Sequence, residues 1–190
     1  MAREEIVTKH AKKIVILHDV LMAGLGWPES SPHSGRIQAA RALKNLVSTQ
    51  VLEAGHNGQL TYYRLPGCTS TYEPHAQFIS VQIAAILKLY PESLIRRECW
   101  IEPIHRRADF IALIINNNHK GLCVIVECLL NESDDDFRSK EKTWRSFDGA
   151  LDYLTELFQL PVKVPSFAVI PVKQGQDIIS LLPSFPSQAR

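Results

Sequence analysis

The chain has 190 residues, 45% hydrophobic and 22% charged, with a formal net charge of +1. This is the composition of an ordinary soluble globular protein, long enough for one good core or for two small domains. It holds no apolar run of membrane-spanning length, and "MAREEIVTKHAKK" at the start has charges of both signs and no signal-peptide core, so a cytoplasmic protein with no membrane partner is expected.

The first segment, "EIVTKHAKKIVILHDVLMAGL", has apolar residues at Ile6, Val7, Ile14, Val15, Leu17, Leu21 and Leu25. That spacing predicts a helix with one buried face, stopped at Gly26-Trp27-Pro28. "PESSPHSG" reads as a loop or a short helical turn. "SGRIQAARALKNLVSTQVLEAG" is the next helix, with Ser34 as its N-cap. Ile37, Ala40, Leu43 and Val47 fall on one face, and Gln38, Arg41, Asn45 and Ser48 on another. "VLEAGHNGQLTYYRL" then reads as strand, tight turn and strand, because Asn-Gly at 57–58 is a strong hairpin signal.

Helix, loop, helix and hairpin is the order of a winged helix-turn-helix. In that arrangement the apolar side of the second helix anchors it and the polar side enters the major groove of double-stranded DNA. Gln38, Arg41 and Asn45 are the candidates for groove contacts, with Lys44, His56 and Arg64 nearer the phosphates. Residues 1–66 carry eight Lys/Arg against five Asp/Glu and four of the seven histidines, so the basic half is also the half with this pattern. The plainer alternative is a small helical domain with a solvated polar face.

"GCTSTYEPHAQ" is rich in turn formers and reads as a linker. The helix "HAQFISVQIAAILKLY" follows, with Phe78, Val81, Ile83, Ile86, Leu87 and Tyr90 inward and Pro91 closing it. "LIRRECWIEPI", "ADFIALIIN" and "LCVIVECLL" are three strands, with a turn around "NNNHKG". The last two strands are apolar almost throughout, which marks strands covered on both faces. Ser133 with Asp134, Asp135 and Asp136 starts a helix, since acidic groups favour its positive end. That helix is expected to run on through Phe137, Trp144, Phe147, Leu151, Leu154 and Phe158. "VPSFAVIPV" is a fourth strand. The expected fold class is therefore α+β, with a winged helix-turn-helix at 1–66, a linker at 67–74, an α-β-β-β-α-β domain at 75–175, and a tail at 176–190, of which "SLLPSFPSQAR" is expected to be partly mobile.

The four cysteines, at 68, 99, 123 and 128, form no Cys-x-x-Cys pair and read as reduced thiols. Trp27, Trp100 and Trp144 read as core or interface anchors rather than base-stacking platforms. Two carboxylates stand out: Asp109 opens one apolar strand and Glu127 ends the next. A buried carboxylate is costly unless paired, hydrogen-bonded or bound to metal. On neighbouring strands the two would emerge at one sheet end, where Mg²⁺ or Mn²⁺ relieves their repulsion. Alternatively, Glu127 pairs with Arg106 or Arg107.

The element order, with Asp109 on its second strand and Glu127 on its third, resembles the PD-(D/E)xK nuclease fold. That resemblance implies that Asp109 and Glu127 bind the catalytic metal and that a lysine two residues beyond Glu127 positions the attacking water. Leu129 holds that position instead. A relocated lysine is available on the next helix at Lys140, although "RSKEKTWR" also reads as a solvated charged face. Over most of the chain, the winged-helix pattern followed by "PHAQFISVQIAAIL", "ADFIAL", "VIVECLLNES" and "RSKEKTW" resembles the replication-relaxation family of plasmids and other mobile elements. Members of that family often lack a complete nuclease site. The leading expectation is a DNA-binding homodimer from a plasmid, phage or other mobile element. Its nuclease-like domain would be inactive and would serve dimerisation, a partner or a second DNA contact. The alternatives are a Mg²⁺- or Mn²⁺-dependent endonuclease using Asp109, Glu127 and Lys140, and a protein-interaction module without nucleic acid.

Overall fold

The computed structural model describes residues 3–14, 16–18, 21–22, 32–58, 60–68, 74–116, 121–130 and 132–185. The expected stop at Gly26-Trp27-Pro28, the start of "PESSPHSG", most of the linker and the turn around "NNNHKG" lie outside them. The fold is mixed α+β and divides into two compact units, residues 1–89 and 90–190.

The first unit opens with helix α1 (Arg3–Ala11). The expected long helix does not continue. Leu17 instead exchanges both backbone hydrogen bonds with Tyr63, each 2.8 Å. The run Ile14, Ile16 and Leu17 is fully buried, and an apolar run of that length suits a strand segment as well as a helix face. Helix α2 (Pro32–Ser48) starts two residues before the expected cap, so Ser34 lies inside it. Proline suits a first helical position, where its missing N–H has no partner to lose.

Strands β1 (Glu53–Asn57) and β2 (Leu60–Arg64) form the expected hairpin. Asn57 pairs with Leu60, so the turn sits one residue later than expected, with Gly58 at φ 58°. Gly55 faces Tyr62, and a Cβ there would stand 2.3 Å from the ring. Only glycine lets this buried tyrosine lie flat across the partner strand.

Helix α3 (Pro74–Leu89) was expected to open the second domain but lies in the first unit. Its buried Ser80 hydroxyl accepts the Ile16 N–H at 3.1 Å. Ile79, Ile83, Ile86 and Leu87 form its buried side, while Val81, expected inward, is exposed.

The second unit is a four-stranded sheet in the order β3 (Leu94–Ile101), β4 (Arg106–Ile115), β5 (Gly121–Leu129), β6 (Phe167–Lys173). The first two pairings are antiparallel and the last is parallel. Ile111, Leu113, Cys123, Ile125 and Val169 pack on one face with Trp144, Leu154 and Phe158. The alternating residues Phe110, Ala112, Ile114, Val124 and Val126 are also fully buried, as their unbroken apolar pattern predicts. The parallel β5–β6 pair needs a crossover, which is made by helices α4 (Asp134–Arg145) and α5 (Ala150–Leu157).

The single helix expected here is therefore two, broken at Ser146–Gly149 where turn formers cluster. Ser133 caps α4 in a reciprocal box: its hydroxyl accepts the Asp136 N–H, and the Asp136 carboxylate accepts the Ser133 N–H. The start of the expected 176–190 tail forms a 3-10 turn at Ile178–Leu181, with Ile178 fully buried. The four cysteines are free thiols, with Cys123 and Cys128 buried. Among the described residues, no helix is long and apolar enough to cross a membrane.

Candidate functional site

The β4–β5 ladder ends at Phe110–Val126, whereas β5–β6 pairing runs on to Leu129–Lys173. Beyond the end of the first ladder, the Asp109 carboxylate acts as a substitute backbone acceptor. Its Oδ2 takes the Cys128 N–H at 2.6 Å. Asp109 and Glu127 each stand one step past the last paired residues, so the two carboxylates are neighbours at one sheet end.

Glu127 is only 1% exposed. Its partner is Lys140, from the second turn of α4, with Nζ donating to Oε2 at 3.0 Å. The alternative partners Arg106 and Arg107 are exposed. Lys140 is placed by its helix: it lies on the α4 face that also carries Phe137 and the fully buried Trp144. The reading of "RSKEKTWR" as a wholly solvated face therefore fails at Lys140, while Arg138 and Lys142 are exposed. The same ammonium donates to both oxygens of Glu132 at 2.9 and 3.1 Å. Glu132 is the member of this group that the sequence reading missed. It sits just before the helix cap, and nothing in its spacing signals that it turns back.

Burial pushes the Glu127 carboxyl up from 4.5 to about 7. Lys140 works against that shift and Asp109 adds to it. Burial also works against the Lys140 charge, but Glu132 and Glu127 outweigh it and hold the ammonium above its usual pKa. Burial, then Asp109 and Glu127, push the Cys128 thiol up, so it is no nucleophile at neutral pH. Asp109, Glu127 and Lys140 thus come together as one cluster.

A divalent cation fits this donor set in kind: two hard carboxylates, one of them too buried to ionise easily without a nearby cation. Among the described residues, no group of three or more His, Cys, Asp or Glu forms a metal cluster. The remaining ligands would be water and substrate phosphate, as is usual for Mg²⁺.

The candidate DNA-contact residues are more scattered. The buried side of α2 is Gly35, Ala39, Ala42, Leu43 and Leu46, about a third of a turn from the expected face. Ile37 is 44% exposed and Val47 half-buried. Arg41, Lys44, Asn45 and Ser48 line the exposed side. Gln38 is half-buried and its amide oxygen is enclosed without a hydrogen-bond partner among the described residues, so it is poorly placed for a groove. His56 is exposed on β1, its ring 3.3 Å from the Thr61 hydroxyl. Arg64 is half-buried, 3.6 Å from Glu53.

The chain matches no protein-family model, no curated protein and no solved structure.

Proposed function

We propose that this protein binds DNA and that its second unit is a metal-dependent nuclease of the PD-(D/E)xK type. The observation that carries this reading is the Lys140–Glu127 contact beside Asp109. The expectation of an inactive domain rests on Leu129 standing where the fold has its lysine. Lys140 brings an ammonium to Glu127 from the following helix instead. The antiparallel, antiparallel, parallel sheet with a helical crossover also supports the fold assignment.

Asp109 and Glu127 would hold Mg²⁺ or Mn²⁺, which supplies charge neutralisation at a phosphate and a more acidic water. Once it leaves Glu132, Lys140 Nζ orients the attacking water and stabilises charge growing on the phosphoryl oxygens. Water oxygen bonds to phosphorus as its proton passes to bulk solvent, one P–O ester bond breaks, and the departing alkoxide takes up a proton from solvent. The buried Glu127 is held from both sides, by the strand and by the ammonium, so the geometry is fixed before substrate arrives.

The winged-helix reading of the first unit is supported by the Leu17–Tyr63 bridge, which adds a third strand segment to the hairpin. It is supported too by the Arg41, Lys44 and Asn45 stripe opposite the helix core. A role in a mobile element rests on the family resemblance, and a homodimeric form on the frequency with which winged-helix proteins bind DNA as dimers.

The second reading keeps the DNA-binding unit and makes the second unit a non-catalytic scaffold. It is favoured by Glu132, which already neutralises Lys140 on its exposed side. One experiment separates the two readings: incubation with plasmid and single-stranded DNA in Mg²⁺ or Mn²⁺. The nuclease reading requires cleavage that stops with chelator and in Asp109→Asn and Lys140→Met. Intact DNA under all these conditions rejects it.

A further inference from the structure

Trp100, expected to be a core or interface anchor rather than a base-stacking platform, lies outside the core and is 52% exposed. It lies near the end of β3, an edge strand of the sheet. Its cross-strand partner is Arg107. Directly paired residues share a sheet face, and so do residues two apart on one strand. Trp100, Arg107 and Asp109 therefore lie in a row on one face, leading to the carboxylate pair. The next turn of chain adds His105, whose ring centroid is 6.5 Å from that of Trp100 at an interplanar angle of 59°. His105, Arg106 and Arg107 are all exposed.

We infer that Trp100 and Arg107 form a platform for an unpaired nucleotide next to the proposed cleavage site, so that the site's substrate is single-stranded DNA or a strand end frayed from a duplex. The inference rests on the nuclease reading only for the word substrate; the binding platform stands on its own geometry. An indole face stacks on any base, and a guanidinium beside it meets the adjoining phosphate. Within a duplex the faces of the bases are already stacked on each other, so only an unpaired base can use the indole. The Arg107 guanidinium matches the charge of a phosphodiester chain. The row continues without a break into Asp109, which places the phosphate following the stacked base toward the carboxylates.

The test is fluorescence anisotropy of the full chain with a short labelled single strand and with the matching duplex, in Ca²⁺ buffer. Trp100→Ala is expected to weaken single-strand binding by about five- to one-hundredfold and to leave duplex binding unchanged. Trp100→Phe should recover most of the loss, and Arg107→Ala should weaken binding and flatten its salt dependence. Equal single-strand affinities for Trp100→Ala and the parent chain would overturn the inference. So would unchanged single-strand affinity accompanied by loss of a dimer in Trp100→Ala, which would give the surface to a second copy. Cleavage by the parent chain in Mn²⁺ is measured separately. If nothing is cut, the nuclease reading fails while the binding result still decides the platform.

Discussion

Lys140 Nζ lies 3.0 Å from Glu127 Oε2, although the end of a strand and a capped helix start separate them in the chain. The pair joins a carboxylate side chain that is almost wholly buried to a lysine side chain that is 24% exposed. Removing one partner of such a pair leaves a buried group uncompensated. Lys140→Ala should therefore lower unfolding free energy by about 2 kcal/mol or more, measured by urea denaturation at pH 8. If the site cuts DNA, the conservative Lys140→Met should reduce kcat by about 10²–10³-fold.

The raised pKa of Glu127 fixes the sign of a pH effect. Its folded value is about 7, against an ordinary value of 4.5 for the unfolded chain. Between these values the folded state holds a proton that the unfolded state has released. Stability from this group is present in full below 4.5 and is lost as pH rises through about 7, at no more than about 1.4 kcal/mol per pH unit. Glu127→Gln should flatten that slope in denaturation curves collected from pH 5 to 8. A divalent cation needs the ionised form, so Mn²⁺ affinity should rise with pH over the same interval in a calorimetric titration.

Asp109 can be separated into its structural and chemical parts. Asp109→Ala removes the acceptor for the Cys128 N–H and should cost about 1–3 kcal/mol. Asp109→Asn keeps a carbonyl oxygen for that bond while losing the charge. The expected result is near-parental thermal stability for the asparagine variant, a lower Tm for the alanine variant, and no metal-dependent cleavage by either.

On the first unit, Arg41→Ala and Lys44→Ala should each weaken duplex binding and reduce the slope of log K against log salt by about 1. Gln38→Ala should change affinity little, because its amide oxygen is enclosed beside the helix. A titration at several salt concentrations checks all three. Equal affinities for Arg41→Ala and the parent chain would remove α2 from the DNA contact.

The sheet was legible because its two central strands are apolar almost throughout: "ADFIALII" and "LCVIVECL" have no helical alternative of sufficient length. The carboxylates were legible because they interrupt those runs. The phase of α2 was not. Ile37 and Val47 are apolar but lie toward the exposed side, while the small Ala39 and Ala42 hold the core, so hydrophobicity alone points to the wrong stripe. The short strand at Leu17 was masked for a similar reason, since its apolar neighbours also satisfy a helical period. Lys140 was visible as a candidate because it shares a helix face with Phe137 and Trp144. Its contact with Glu132 depends on how the chain turns between β5 and α4, and no local pattern encodes that turn.

Asp109 closes the gap where two strands part, and that duty needs no catalysis. A lineage that abandoned cutting would still be held to a hydrogen-bond acceptor at this position. Lys140 is bound in the same way, by the buried Glu127 that it compensates. Glu132, at the solvent rim, carries less of that obligation. Decay of the site should therefore begin at residue 132 and reach the strand last, so persistence of Asp109 and Lys140 is no sign by itself of retained chemistry.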